Sequence, residues 1–202
     1  MIIRAVLFDM DGTIWDAPLD WPTIRREIDV PANGTPIYTQ LMKMEAHERA
    51  RGINILEAYE EFGAENGVLI DGTDLILSDL HDLNIKCALV TNNTQRSVEK
   101  VLSRHPLSFD LVISRDNGLL KPDPRVFLLA LEKLGVDPDE AMAIGDAHLD
   151  LIASHKAGIK EFILVGSKPW VQKLLPEDVP HHKAENLKQA RDIILRLLNK
   201  PC

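Results

Sequence analysis

Cysteine is scarce in this chain of 202 residues, in which only Cys87 and Cys202 occur. Two cysteines cannot form a disulfide framework, so the composition favours a reducing, cytoplasmic location. Long apolar runs are missing as well, because none reaches the roughly 20 residues that a membrane-spanning helix needs. Only Arg4 precedes the first strand-like run, so we expect neither a signal peptide nor a membrane partner.

Positive charge is also in short supply. The chain has 23 lysines and arginines against 31 aspartates and glutamates, which gives a net charge of −8. This excess of negative charge argues against nucleic acid as a partner, because binding to a phosphate backbone depends on clustered cations. It does not exclude a small phosphorylated metabolite, since a bound metal ion and a few cations can set the field of a single site.

Two carboxylates follow the first apolar run of the chain. The run Ala5–Phe8 predicts a short buried strand, and Asp9 and Asp11 come directly after it. Side chains two positions apart on a strand point the same way, so both carboxylates would face one spot. Gly12 then allows a turn, and Thr13 offers a hydroxyl group and a backbone N–H. Two close carboxylates repel each other unless a cation separates them, which favours a Mg²⁺ site over a solvated Asp-Gly turn.

Strand and helix patterns alternate from residue 68 onward. Short apolar runs that predict strands cover residues 87–90, 111–113, 141–144 and 162–165. Helical periodicity covers residues 74–83, 95–103, 124–134, 149–157 and 185–198. This alternation predicts a doubly wound parallel sheet of the Rossmann-like α/β class, with helices on both faces.

Residues 16–66 carry helical patterns and no strong strand. One helix is expected to begin near Trp21, a second to span residues 37–51, and a third to follow from Ile53. We interpret this segment as a small all-helical cap domain inserted after the first strand. The core domain would then consist of residues 1–15 and 67–202.

Ligands of parallel α/β sheets collect at the carboxyl ends of the strands, so the residues that follow each strand decide the site. Thr91–Thr94 follow the second predicted strand, where they suit either an anion cradle or a simple helix cap. Lys121 lies between the third strand and a helix, as a site cation or as a solvated surface group. Asp146 and Asp150 follow the fourth strand, as metal ligands or as helix-capping groups. His148, between them, is expected to be an exposed loop residue.

Together these groups supply what phosphoryl transfer needs, namely carboxylates, a hydroxyl group beside amides, and a cation. Four motifs of the chain resemble, in their order and spacing, those of the haloacid dehalogenase (HAD) superfamily: Asp9-Met10-Asp11-Gly12-Thr13, Thr91, Lys121 and Gly145-Asp146-x-x-x-Asp150. The helical segment resembles the cap of the phosphoglycolate-phosphatase-like branch of that superfamily, although it is shorter.

The resemblance implies a mechanism and roles for the residues that match. Asp9 would attack phosphorus and form an aspartyl-phosphate, and Asp11 would protonate the leaving oxygen and later activate water. Thr91 would bind a phosphate oxygen as part of the catalytic set. Thr13 and Asn92 are the predicted substrate-binding residues beside it.

The resemblance also implies how charge is balanced at the site. Lys121 would neutralise charge on the nucleophile and on the phosphoryl group. Mg²⁺ would bind to the side chain of Asp9, the backbone carbonyl of Asp11 and the side chain of Asp146, with Asp150 in support. Magnesium is therefore the predicted cofactor.

The second aspartate of the first motif narrows the predicted reaction. Haloacid dehalogenases lack this residue, and phosphonatases carry alanine in its place, so Asp11 points to phosphate monoesters. We therefore predict a Mg²⁺-dependent phosphatase that acts on a small phosphorylated metabolite. A phosphomutase of the same fold and a receiver-like phospho-signalling module are the alternatives.

Overall fold

A computed structural model of the chain describes residues 2–166 and 168–198. These residues form eight strands: β1 (Ala5–Phe8), β2 (Trp15–Asp16), β3 (Val68–Leu69), β4 (Lys86–Val90), β5 (Leu111–Ile113), β6 (Ala141–Gly145), β7 (Glu161–Val165) and β8 (His182–Ala184). They also form nine α-helices: α1 (Trp21–Ile28), α2 (Ile37–Leu41), α3 (Ala46–Asn66), α4 (Thr73–Asp82), α5 (Gln95–Arg104), α6 (Arg125–Leu134), α7 (His148–Lys156), α8 (Pro169–Gln172) and α9 (Leu187–Leu198). Among these described residues, no helix has the length and apolarity that crossing a membrane requires.

Six of the strands form one parallel sheet in the order β5-β4-β1-β6-β7-β8. Side chains of β1 alternate between two hydrophobic layers. Val6 and Phe8 pack with residues of α4, α5 and α9, whereas Ala5 and Leu7 pack with residues of α6 and α7. A strand that is buried on both faces has to be apolar throughout, which explains the unbroken apolar run at this position. The predicted doubly wound α/β fold is confirmed.

The four strands predicted after residue 68 are confirmed as β4–β7, with bounds that differ by at most one residue. The edge strand β8 has no counterpart in the sequence pattern. It has three residues, of which only Ala184 is buried. So short a strand at the edge of a sheet carries too few apolar residues to produce a periodic signal.

The two ends of the helical insertion leave the core side by side. β2 and β3 pair antiparallel, with Trp15 opposite Leu69 and Asp16 opposite Val68. Between them, α1, α2 and α3 pack around a hydrophobic cluster of their own, which includes Ile24, Ile28, Ile37, Leu41 and Leu56. We propose that this segment is a cap domain with the predicted boundaries, residues 16–66.

The predicted position of one helix break in the cap is wrong. The pattern predicts a helix over residues 37–51, whereas α2 ends at Leu41 and α3 runs unbroken from Ala46 to Asn66. Gly52 lies inside α3 and is buried against α2, where a Cβ atom would lie 2.2 Å from Cδ2 of Leu41. Glycine inside a helix costs about 1 kcal/mol relative to alanine. Here Gly52 allows α2 and α3 to approach closely. A glycine in the sequence does not by itself distinguish such a close contact from a helix break.

Candidate active site

The strands at the centre of the sheet end level with one another. The last residue of β1 is in register with Leu89 of β4 and with Ile144 of β6. Asp9, Thr91 and Asp146 follow these three strands directly, and all three are buried. The parallel topology therefore brings groups that are far apart in the sequence to one carboxyl edge of the sheet.

Lys121 connects the first acidic motif with the last. Its Nζ atom lies 2.5 Å from Oδ1 of Asp9 and 2.5 Å from Oδ1 of Asp150, and it donates to the carbonyl oxygen of Val90 at 2.9 Å. Only 3% of its side chain is exposed. Burial alone would lower the pKa of Lys121, but the carboxylates of Asp150 and Asp9 outweigh burial and raise that pKa. Lys121 is therefore an internal, charged group of the site and not a solvated lysine.

Asp9, Asp146 and Asp150 form a buried acidic group. One carboxylate oxygen from each residue lies within 4.8 Å of those of the other two. Burial raises the pKa of Asp9 to about 6 in spite of the Lys121 ammonium. Burial also raises the pKa of Asp146 and of Asp150 above the ordinary value. The ionised carboxylates are thus destabilised here, and a cation with a preference for oxygen ligands, such as Mg²⁺, fits the group.

Gly12 leaves room beside this acidic group. A Cβ atom at its position would lie 2.2 Å from Oδ2 of Asp146 and 2.7 Å from Nζ of Lys168, and its φ of +83° favours glycine. The ammonium of Lys168 contacts Asp146, and this contact outweighs burial and raises the pKa of Lys168. No motif in the sequence marks Lys168, because it lies in the loop after β7 without any pattern around it.

The carboxylate of Asp11 stands apart from the three close carboxylates. Its Oδ2 accepts a hydrogen bond from Nδ2 of Asn93 at 3.0 Å. Burial, and then the negative charge of Asp9, raise the pKa of Asp11 to about 7. A carboxyl group with such a pKa still holds its proton near neutral pH, as a general acid must. The predicted contact of the metal with the backbone carbonyl of Asp11 would leave this carboxyl group available to carry the proton.

The hydroxyl groups of the first two motifs are buried. Oγ1 of Thr91 accepts from the backbone N–H of Asn93 at 3.0 Å, whereas α5 is capped by Thr94, whose side chain accepts from the backbone N–H of Ser97. Thr91 therefore does not serve as the helix cap. The hydroxyl of Thr13 is fully buried and has no hydrogen-bond partner among the described residues. Such an orphaned group costs free energy, so it marks a place where a ligand oxygen could bind.

Asn92, a predicted substrate-binding residue, uses its side chain for another purpose. Its Oδ1 accepts from the backbone N–H of Lys121 at 2.8 Å, and its Nδ2 donates to the Lys121 carbonyl at 3.0 Å. Both ends of this amide therefore fix the main chain of Lys121. The asparagine side chain that reaches the carboxylates is the next one, Asn93, through its bond to Asp11.

A buried ion pair joins the cap to the core. Nη1 and Nη2 of Arg115 each lie 2.8 Å from one carboxylate oxygen of Glu60, a residue of α3. The side chains are only 4% and 6% exposed, and the guanidinium lies over the ring of Tyr38 at 4.6 Å from the centroid. Burial outweighs the attraction of the guanidinium and raises the pKa of Glu60 to about 7. Neither charge stands in a motif, so the sequence does not single them out.

His148 is buried, so the prediction of an exposed loop residue is wrong. Its Nε2 lies 2.9 Å from the carbonyl oxygen of Gly34 in the cap, and Trp170 packs edge-on at 6.3 Å between ring centroids. A carbonyl only accepts, so Nε2 carries the hydrogen of this bond. The fourth motif thus contacts the cap as well as the acidic group, which no pattern within the motif could show.

The fold and the site together define the class of the protein. In a parallel α/β sheet, buried acidic groups at the carboxyl edge mark the usual position of a ligand-binding or active site. More narrowly, the chain belongs to the haloacid dehalogenase-like hydrolase family, whose sequence model matches residues 6–165. It is a hydrolase, and the resemblance seen in the four motifs is confirmed.

The chain is similar to two curated phosphatases. It is 28% identical over 204 residues to the N-acetylmuramic acid 6-phosphate phosphatase of Pseudomonas aeruginosa, with 90% of this chain and 88% of the relative covered. It is 28% identical over 177 residues to the pyrophosphatase PpaX of Bacillus velezensis, with 78% and 81% covered. Among solved structures, a HAD-superfamily hydrolase from Ehrlichia chaffeensis aligns with a TM-score of 0.67 at 25% identity, over 98% of each chain.

Proposed function

We propose that the chain is a Mg²⁺-dependent phosphatase that hydrolyses a small phosphorylated metabolite through a covalent intermediate on Asp9. The observation that carries this proposal is the convergence of Lys121 with Asp9 and Asp150 in one buried group, beside Asp146. The phosphatase names of the two curated relatives support it. The cytoplasmic location stays a prediction from the cysteine content.

In the first step, a carboxylate oxygen of Asp9 attacks phosphorus while the bond from phosphorus to the ester oxygen breaks. Lys121 fixes the orientation of Asp9 and offsets negative charge on both reactants. Asp11 transfers its proton to the departing ester oxygen, which leaves as an alcohol. A positioned acid of this kind contributes roughly 10²–10⁴-fold to the rate.

In the second step, water attacks the phosphorus of the aspartyl-phosphate and the acyl–phosphate P–O bond breaks. Asp11, now ionised, accepts a proton from the water, which restores its starting state. Inorganic phosphate leaves, and the carboxylate of Asp9 is regenerated. Thr91 and Thr13 would bind phosphate oxygens during both steps, since the Thr13 hydroxyl has no hydrogen-bond partner within the part of the chain that the structure describes.

Magnesium would be held by the side chains of Asp9 and Asp146 and by the backbone carbonyl of Asp11, with Asp150 in support. When bound, it supplies positive charge that reduces the repulsion between a phosphate dianion and the carboxylates. The cap would exclude water and select the leaving group, since Glu60 and the loop at Gly34 bring it onto the core.

Phosphate release from a panel of small phosphate monoesters tests this function. We expect hydrolysis with Mg²⁺, loss of at least about 10²-fold in chelator, and recovery when Mg²⁺ is returned. Titration calorimetry with Mg²⁺ alone should show binding that is roughly 10–100-fold weaker in Asp146→Asn. The exposed Asp139→Asn is the matched control. Hydrolysis that is indifferent to chelator would contradict the proposal, and conversion of a sugar phosphate to its isomer without phosphate release would favour the phosphomutase.

The pH dependence of the first step should carry the signature of Asp11. Because the acid must be protonated and its pKa is about 7, kcat/KM is expected to fall as the pH rises above that value. Asp9 must be ionised, so activity is also lost at low pH, and bound Mg²⁺ moves that limb further down by favouring the ionised form. Profiles at saturating Mg²⁺ for the wild type and Asp11→Asn check this. If the alkaline limb persists in Asp11→Asn, another group is the acid.

A further inference from the structure

The cap–core ion pair, Glu60 with Arg115, does more than join two parts of the chain. Nη1 of Arg115 also donates to the carbonyl oxygen of Asn92 at 3.2 Å. The backbone N–H of Arg115 donates to the carbonyl oxygen of Asn93 at 2.9 Å. Arg115 therefore binds the cap through Glu60, and it also holds the carbonyl groups of two consecutive residues after β4.

The side chains of Asn92 and Asn93 in turn position Lys121 and Asp11. Asn92 fixes the main chain of Lys121 through both ends of its amide. Asn93 donates to the carboxylate of Asp11. A continuous series of hydrogen bonds thus runs from α3 of the cap, through Arg115 and the segment Asn92–Asn93, to the acid of the proposed reaction.

From this series we infer that Arg115 is a positioning residue, which aims the Asp11 acid at the leaving oxygen when Glu60 of the docked cap engages it. The inference rests on the proposed function, in which Asp11 protonates the leaving group. The ion pair should therefore matter for substrates whose leaving oxygen needs a proton, namely phosphate esters of ordinary alcohols.

The physical basis is the cost of an unpaired charge in this position. Without Glu60, the guanidinium would keep only the half-exposed Glu57, whose Oε1 lies 3.7 Å from Nη2, so the arrangement of Arg115 seen here depends on Glu60. Tyr38, from another helix of the cap, covers the face of the guanidinium and restricts it further. Withdrawal of the cap would remove both contacts and free the guanidinium from the Asn92 carbonyl, whereas the bond from the backbone N–H of Arg115 to the Asn93 carbonyl would remain.

Leaving-group dependence separates this role from a merely structural one. In Arg115→Met and in Glu60→Gln, kcat/KM for an alkyl phosphate such as glycerol 2-phosphate should fall roughly 10–100-fold, because this ratio reports the first step alone and a misplaced acid costs about that much. For p-nitrophenyl phosphate the expected change in kcat/KM is less than about threefold, since this leaving group departs without a proton. Arg115→Lys keeps the charge but not the paired bonds, so it should lose activity in the same pattern.

Glu61→Gln is the matched control. Glu61 is the next residue on α3 and also pairs with the core, with Arg96 at 2.7 Å and Lys100 at 3.2 Å, but its side chain is 34% exposed and no hydrogen bond connects it to residues 92–93 among those described. Activity on both esters should stay within about twofold of the wild type, as is usual for exposed pairs. Equal losses of kcat/KM on both esters in the Glu60 and Arg115 variants would overturn the inference.

Amide hydrogen exchange over residues 91–95 provides a readout that does not depend on turnover. Exchange should be faster in Glu60→Gln than in the wild type, and unchanged in Glu61→Gln. Unchanged exchange in Glu60→Gln would overturn the inference even if activity fell. If the wild type releases phosphate from no ester of the panel, the proposed function fails, and the exchange comparison still decides whether the ion pair holds the segment after β4.

Discussion

Asp9→Asn is expected to abolish turnover, with kcat on any substrate lower by about 10⁵-fold or more, the scale seen when an enzyme loses its nucleophile. An amide oxygen cannot form the covalent bond to phosphorus that the proposed first step requires. Rapid quenching with substrate labelled in the phosphoryl group should therefore detect labelled protein in the wild type and none in the variant.

The loss of activity should not come with a loss of stability. Burial raises the pKa of Asp9 from 3.8 to about 6, so the folded state favours the neutral form of this side chain more than the unfolded chain does. A neutral amide is therefore tolerated, and Tm should not fall at neutral pH. Asp82→Asn, an exposed substitution of the same chemistry, is the control. Substantial turnover by Asp9→Asn would remove Asp9 from its proposed role.

Lys121→Met should have the second largest effect, and it should act on both rate and stability. The variant loses the cation between Asp9 and Asp150 while keeping a side chain of similar length. We expect kcat to fall about 10³-fold, as it does when a preorganised group of this kind is removed. The free energy of unfolding at neutral pH should fall by about 3–5 kcal/mol, because two buried carboxylates are left without their partner.

The pH dependence of the free energy of unfolding distinguishes a charge effect of Lys121→Met from a packing effect. Without the ammonium, the pKa values of Asp9 and Asp150 rise further, so the folded variant binds protons more strongly than the unfolded chain. The stability deficit of the variant should therefore shrink as the pH falls from about 7.5 to about 5.5. Urea unfolding at the two pH values measures this, with the exposed Lys133→Met as control. An equal deficit at both pH values would mean that lost packing, and not charge, dominates.

Much of the site could be predicted from sequence because the topology of the sheet determines where most of the site residues lie. A parallel sheet ends all its strands at one edge, so locating four apolar runs also locates Asp9, Thr91 and Asp146 near one another. Lys121 is further from its strand, and its burial follows from contacts with Asp9, Asp150 and Val90 that no local pattern encodes.

The remaining features depend on directions and contacts that a single sequence does not carry. Asn92 and Asn93 are identical in type and adjacent, and only the turn after Thr91 decides that Asn93 faces Asp11. Nothing in the sequence distinguishes Glu60 and Arg115 from other charged residues, because they meet only through the packing of α3 against the segment after β5. The cap therefore supplies most of what sequence reasoning missed, because its position relative to the core is a tertiary property.

The pairing of β2 with β3 has a consequence for how such proteins diversify. Trp15–Asp16 and Val68–Leu69 are antiparallel neighbours. A segment of any length, from a two-residue hairpin turn to a different helical bundle, could therefore connect them without a change in the register of the six-stranded sheet. A lineage of genes could thus exchange the inserted segment at this one position while the residues at the carboxyl edge of the sheet stayed unchanged.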